Sequence, residues 1–165
     1  MTIKPITEAE AKKVVSWRYD RPYDVYNLAP EALPDLLEPE HAFHAVFDDE
    51  ENLIGFCSFG QDGRVPGGHY ELDALDVGAG LRPDLTGQGR GLAFLEAVLE
   101  HARQELAPRR FRATVGTFNA RALAVLKKLK FSPVQSFISR GQGPPKPFIV
   151  MVKEEPKKVV EADED

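Results

Sequence analysis

Three glycines at alternate positions, Gly87, Gly89 and Gly91, stand between the end of an apolar strand pattern at Leu81 and the start of an amphipathic helix pattern. Leu92, Leu95, Val98 and Leu99 recur on one face of that helix, which stops before Pro108. Glycine lets a backbone turn tightly and approach a ligand closely. The N–H groups of a helix's first turn lack partners inside the helix and attract an anion, and Arg90 adds positive charge. Each glycine inside a helix costs about 1 kcal/mol relative to alanine, which favours a ligand role over a merely glycine-rich loop. A P-loop requires Gly-Lys-Ser/Thr at its end, which is absent. The dinucleotide fingerprint places its third glycine one residue later than Gly91. The stretch therefore reads as a pyrophosphate cradle of another kind.

Around this loop the patterning predicts the order β-α-α-β-β-β-α-β-α-β-β, a mixed α/β sheet that is neither purely doubly wound nor a barrel. Ile3 to Ile6 reads as a strand. Thr7, followed by Glu8 and Glu10, starts a helix that runs to about Trp17, and Glu31 to Leu37 is a second short helix. Ala42–Asp48 and Leu53–Phe59 form a hairpin, and the alternation from Tyr70 to Leu81 reads as the next strand. Arg110–Val115 is a strand, and Asn119 caps a helix with Ala122, Val125, Leu126 and Leu129 on one face. Phe131–Ile138 and Pro147–Val152 are the final strands. The chain of 165 residues is expected to fold as one domain over residues 1–153, with a charged, disordered tail over 154–165.

Several function classes are disfavoured. A net charge of −5 argues against nucleic acid as a partner. The single cysteine, Cys57, lies in an apolar run and reads as a buried small hydrophobe, and no Cys/His spacing suggests a metal site. No apolar run is long enough to span a bilayer. The Met1–Lys4 start lacks a signal-peptide core, so the expected compartment is the cytoplasm.

The glycine loop, with Pro83 upstream, resembles the acetyl-CoA loop of the GCN5-related N-acetyltransferase (GNAT) superfamily, Arg/Gln-x-x-Gly-x-Gly/Ala; Gly89 and Gly91 fill the glycine positions and Thr86 stands for Arg or Gln. Asn119-Ala120-Arg121-Ala122 through Lys128-Leu129-Lys130-Phe131 is similar to the family's Asn-x-x-Ala…Lys-x-Gly-Phe helix, with Lys130 in place of glycine. The resemblance runs from about Ala42 to Val152 and implies an N-acetyltransferase that moves an acetyl group from acetyl-CoA to a primary amine. It implies that the fourth and fifth strands part and that Ala79, Gly80 and Leu81 hold the pantetheine arm by their backbone, with an N–H near Leu81 polarising the thioester. Thr86, Gly87, Gln88, Gly89, Arg90 and Gly91 would hold the phosphates, and Asn119 the pantetheine.

The family's acid tyrosine, seven residues after the asparagine, is Leu126 here, and its occasional glutamate, five before it, is Thr114. A family carboxylate base thirteen residues before the Arg/Gln position falls on Asp73, with Asp76 as the second candidate. The aromatic stretch from Trp17 to Asn27 reads either as a loop over the core or as a substrate wall. Tyr23 and Tyr26 of this stretch, together with Glu71 on the strand before the glycine loop, are the candidate contacts to a cationic acceptor. His44, His69 and His101 read as structural. The missing tyrosine keeps a second function open, a non-catalytic acyl-CoA-binding or sensor module. Many relatives are homodimers, and nothing in this sequence specifies that state.

Overall fold

The computed structural model describes residues 1–141 and 144–156. In chain order the elements are β1 (Thr2–Pro5), α1 (Glu8–Ser16), α2 (Leu33–Leu37), β2 (Phe43–Phe47), β3 (Leu53–Phe59), β4 (Leu75–Leu81), α3 (Gly91–Leu106), β5 (Arg110–Gly116), α4 (Ala120–Lys128), β6 (Ser132–Ser139) and β7 (Lys146–Glu154). Short 3-10 turns join several of them, including Tyr23–Tyr26 and Pro83–Leu85.

Local chemistry starts and stops these elements. The Thr7 hydroxyl accepts the Glu10 N–H at 3.4 Å while the Glu10 carboxylate accepts the Thr7 N–H at 3.3 Å, a reciprocal cap on α1. In the β2–β3 turn the Asp48 carboxylate accepts the N–H groups of Glu50 and Asn52 at 3.0 and 2.8 Å.

The strand from Tyr70 is shorter than its alternation predicts and begins at Leu75. The carbonyls that would enter a ladder are taken by arginines of β5: Leu72 accepts from Arg112 at 2.8 Å and Asp73 from Arg110 at 2.8 Å. The pattern of α3 is also shifted. Val98 and Leu99 of the predicted face are buried, but Phe94 and Ala102 complete the buried set while Leu92 and Leu95 are only partly buried. The Phe94 ring lies over Gly55 of β3, where an added Cβ would come within 2.6 Å of it.

The strands form one seven-stranded sheet, β1-β2-β3-β4-β5-β7-β6. Every neighbouring pair is antiparallel except β4–β5. One face packs on α3 and α4 through Phe94, Val98, Leu99, Leu126, Phe111 and Met151. The other is covered by α1 and α2 through Ala11, Val14 and Leu36, with Trp17, Phe43 and Phe56 against them. Cys57 is 0% exposed, and burial pushes its thiol up to about 12, so it fills space and is no nucleophile at neutral pH.

Lys130 has φ +73°, the left-handed conformation that suits glycine. It follows Leu129, the C-cap of α4, and the Lys130 N–H reaches Lys127 O and the Phe131 N–H reaches Leu126 O, both at 3.0 Å. A side chain there costs roughly 1–2 kcal/mol. Lys130→Gly is therefore expected to stabilise the protein by about 1 kcal/mol, less glycine's own entropy loss. Urea denaturation midpoints of the two proteins check this.

At the C-terminus β7 runs to Glu154, and Glu155 pairs with Arg103 at 2.8 Å and Lys153 at 3.0 Å. Ordered chain thus continues past the expected boundary at residue 153; the tail residues 157–165 lie outside the described residues. Among the described residues no helix is long and apolar enough to cross a membrane.

Candidate functional site

β4 and β5 pair only at Leu75–Phe111 and Asp76–Arg112. Beyond those two positions the parallel strands part, while β4 continues to Leu81 and β5 to Gly116. The direction of β4's polar groups follows from its register with β3. Arg82 donates to Ile54 O at 2.8 Å, and Gly60 donates to Asp76 O at 2.9 Å. Hydrogen bonds alternate along an antiparallel pair, so Gly78 and Gly80 also turn toward β3, opposite Ser58 and Phe56. Ala79 and Leu81 then direct their N–H and C=O groups into the gap. Gly80, expected to bind cofactor through its backbone, has that backbone engaged with β3, and the Phe56 ring and Tyr19 hydroxyl fill the space where a side chain would stand.

The glycine loop closes over the end of this gap. The Thr86 hydroxyl donates to Pro83 O at 2.7 Å and Gln88 Nε2 to Asp84 O at 2.7 Å, so both side chains brace the turn from within. Gly87 and Gly89 have φ of +72° and +76°. Arg90 stands at the N-cap of α3, and no side chain caps the helix. The first-turn N–H groups from Gly91 onward are left for another acceptor. A Cβ at Gly89 would meet nothing within 4 Å, so that edge of the cradle is open.

Across the gap, Asn119 Oδ1 accepts the Ala122 N–H at 3.1 Å and caps α4. Its Nδ2 donates to the Tyr26 hydroxyl at 3.4 Å. The Tyr23 and Tyr26 rings pack on Phe118 with centroids 6.0 and 5.8 Å away. Arg121 donates from Nε to the Tyr23 hydroxyl at 3.0 Å, with its guanidinium 4.1 Å from that ring's centroid. Tyr19 donates to Leu81 O at 2.6 Å. Sequence reading singled out neither Tyr19 nor Arg121, because both make their contacts with residues far away in the chain. A cleft of about 360 Å³ lies between this aromatic segment and the glycine loop, lined in part by Tyr19, Tyr23, Thr86 and Arg121.

Burial pushes the Tyr19 phenol up to about 12 from 10.0. A raised value means that the folded state holds this proton more tightly than the unfolded state does. The associated stability is complete below pH 10 and is lost as pH rises through about 12. Thermal melts in that window are expected to fall more steeply for the wild type than for Tyr19→Phe.

The carboxylates lie elsewhere. Asp76 is 2% exposed. It accepts from Arg112 Nε and Nη2, both at 2.7 Å, and from Arg64 Nε at 2.8 Å. With both oxygens held by guanidinium groups it anchors the point where β4 and β5 diverge, and the assignment of Asp76 as a base is corrected accordingly. Tyr70 lies against the same cluster, its hydroxyl 2.9 Å from Thr114 Oγ1 and its ring 4.9 Å from the Arg112 guanidinium. Glu71 and Asp73 are exposed beside the start of β5. Tyr23 and Tyr26 sit beyond the end of that strand, about 20 Å away at 3.3 Å per residue. The structure therefore does not assemble these four residues into one acceptor wall. Leu126, in the position of the absent tyrosine, is a core residue at 3% exposure. His44 and His101 are not isolated: their rings lie 5.4 Å apart and both pack on Phe59.

The fold that carries this parted parallel pair and glycine-opened helix matches those of solved N-acetyltransferases. A spermidine N-acetyltransferase SpeG chimera from Vibrio cholerae and hSSAT superposes with a TM-score of 0.72 at 15% identity, over 93% of this chain and 94% of the other. A ribosomal-protein-alanine N-acetyltransferase from Brucella melitensis gives 0.69 at 16%, over 94% and 100%. A GNAT-family acetyltransferase from Bacillus anthracis gives 0.72 at 14%, over 92% and 93%. No curated protein matches the chain in sequence. The sequence profile of the acetyltransferase (GNAT) family matches residues 9–131. The chain belongs to that family.

Proposed function

We propose that the protein transfers an acetyl group from acetyl-CoA directly to a primary amine. The observation that carries this reading is the parted β4–β5 pair, with the inward-facing backbone of Ala79 and Leu81 at one end and the uncapped glycine-opened start of α3 at the other. Acetyl-CoA supplies an activated acetyl thioester, whose carbonyl carbon takes the amine nitrogen as the C–S bond breaks. Residues 86–91 would face its pyrophosphate, Ala79 and Leu81 its pantetheine amides, and an inward N–H of β4 its thioester oxygen, an interaction that strengthens as charge develops there. Asn119 would meet the pantetheine from the opposite wall.

No proton donor stands in the family's acid position, where Leu126 is packed in the core. A thiol of pKa about 8.5 leaves as thiolate without a dedicated donor. Asp73 is the carboxylate proposed as base, because Asp76 is committed to its arginines. The named neighbours act on a polyamine and on a protein amine, and the acceptor proposed here is no narrower than a primary amine.

The test is steady-state release of thiol from acetyl-CoA in the presence of spermidine and of alanine-terminated peptides. Asp73→Asn is expected to lower kcat by at least about 100-fold with an unchanged Kd for acetyl-CoA. A pH–rate profile identical to wild type would remove Asp73 as the base. Tight acetyl-CoA binding without thiol release for any amine would replace the enzyme reading with that of a binding module.

A further inference from the structure

Building on the acetyl-CoA reading, we infer that the segment 17–27 is a gate on the cofactor, in which Tyr19, Tyr23 and Tyr26 occupy groups that the cofactor needs and release them when it binds. Each tyrosine is seated on a different part of the proposed site. Tyr19 covers Leu81 O, one of the backbone groups turned into the gap. Tyr26 holds the Asn119 amide nitrogen. Tyr23 holds Arg121, whose Nη1 lies 2.8 Å from where a Cβ of Gly87 would be, beside the phosphate cradle. The segment thus bridges the two walls of the gap, from the end of β4 to the start of α4.

Its seat is of a kind that a ligand can replace. The Tyr23–Tyr26 turn has no buried residue, and Val25 and Tyr26 are 38% and 37% exposed. Hydrogen bonds, tilted contacts with the Phe118 ring and the Arg121 guanidinium over Tyr23 hold it, whereas Trp17 at its root is packed against the α1–α2 core. Pantetheine amides and phosphates offer the same donors and acceptors as the three hydroxyls, so exchange loses few contacts. A phenol is protonated throughout the neutral range, and burial moves the Tyr19 value further up, so Tyr19 remains a donor to Leu81 O. The cleft beneath the segment gives an incoming ligand room to enter before the gate lifts.

A closed gate lowers apparent affinity by the fraction of open molecules. Loss of one gate hydrogen bond is then expected to tighten binding, about fivefold for a bond with a net worth near 1 kcal/mol. The experiment is calorimetric titration of the whole chain and of Tyr19→Phe and Tyr26→Phe with acetyl-CoA, together with tryptic cleavage after Arg18. The expected result is tighter binding by both variants and faster cleavage of the wild type when acetyl-CoA is added. Weaker or unchanged binding by both variants, or protection of Arg18 by acetyl-CoA, would overturn the gate and leave the acetyl-CoA reading standing. Failure of the wild type to bind acetyl-CoA would overturn both. Thermal melts verify that each variant is folded, and Tyr26→Phe, at an exposed position, decides the matter if Tyr19→Phe does not fold.

Discussion

Gly89→Glu is expected to reduce acetyl-CoA affinity by about 100-fold or more while the fold survives. The two halves of this expectation have different physical origins. An added Cβ at Gly89 meets open space, so packing is unaffected. The φ of +76° disfavours any L side chain, at a cost of roughly 1–2 kcal/mol that a whole domain tolerates. The carboxylate, however, would project at the uncapped start of α3, where the proposal places the pyrophosphate. Gly89→Asn separates charge from geometry, because asparagine tolerates the left-handed region and carries no charge. Calorimetry should then show the glutamate variant crippled and the asparagine variant only modestly weakened. Equal affinities for wild type and Gly89→Glu would mean that no anion occupies this cradle.

Arg112→Met should destabilise the protein by about 3–5 kcal/mol, the largest effect expected of any single side chain outside the apolar core. Arg112 and Asp76 are 1% and 2% exposed, and two of the arginine's N–H groups meet the two oxygens of the carboxylate. Removing the cation leaves a buried anion with Arg64 alone, which lies at the more exposed side of the cluster. The Leu72 carbonyl loses its donor at the same time. Replacing both charges, with Asp76→Leu added to Arg112→Met, should cost less than the single change, because no unpaired charge then remains buried. Urea denaturation of the three proteins measures the order. A double variant less stable than the single one would show that the pair contributes more than mutual neutralisation.

How much of this was readable from the sequence depended on how local the signal was. Thr7 with Glu10 and Asn119 with Ala122 act within a few residues and form the caps their patterns predict, and Gly87 and Gly89 take the left-handed backbone that glycine permits. Lys130 was visible as a departure from the motif that the resemblance supplies, and its left-handed backbone is the conformation that suits a glycine. Long-range partners were not readable. Asp76 sits in an ordinary alternation, and its role depends on an arginine 36 residues later, brought alongside only by the parallel pairing of β4 with β5. Tyr70–Asp73 alternates like a strand, yet arginine side chains take its carbonyls before a ladder can form. The aromatic segment was flagged by its density, but which ring meets which wall of the gap is decided by contacts spanning 62 to 98 residues.

The short β4–β5 pairing has a consequence for exchange with solvent. In most sheets the central strands carry the slowest-exchanging amides, and protection decays toward the edges. Here the middle of a seven-stranded sheet contains amides, those of Ala79 and Leu81, that no neighbouring strand protects. These interior amides should exchange with deuterium like those of an edge strand, while Gly78 and Gly80, on the same strand, are shielded by β3. The alternation along β4 is thus a built-in reporter: a molecule that fills the gap would slow every second amide and leave those between unchanged.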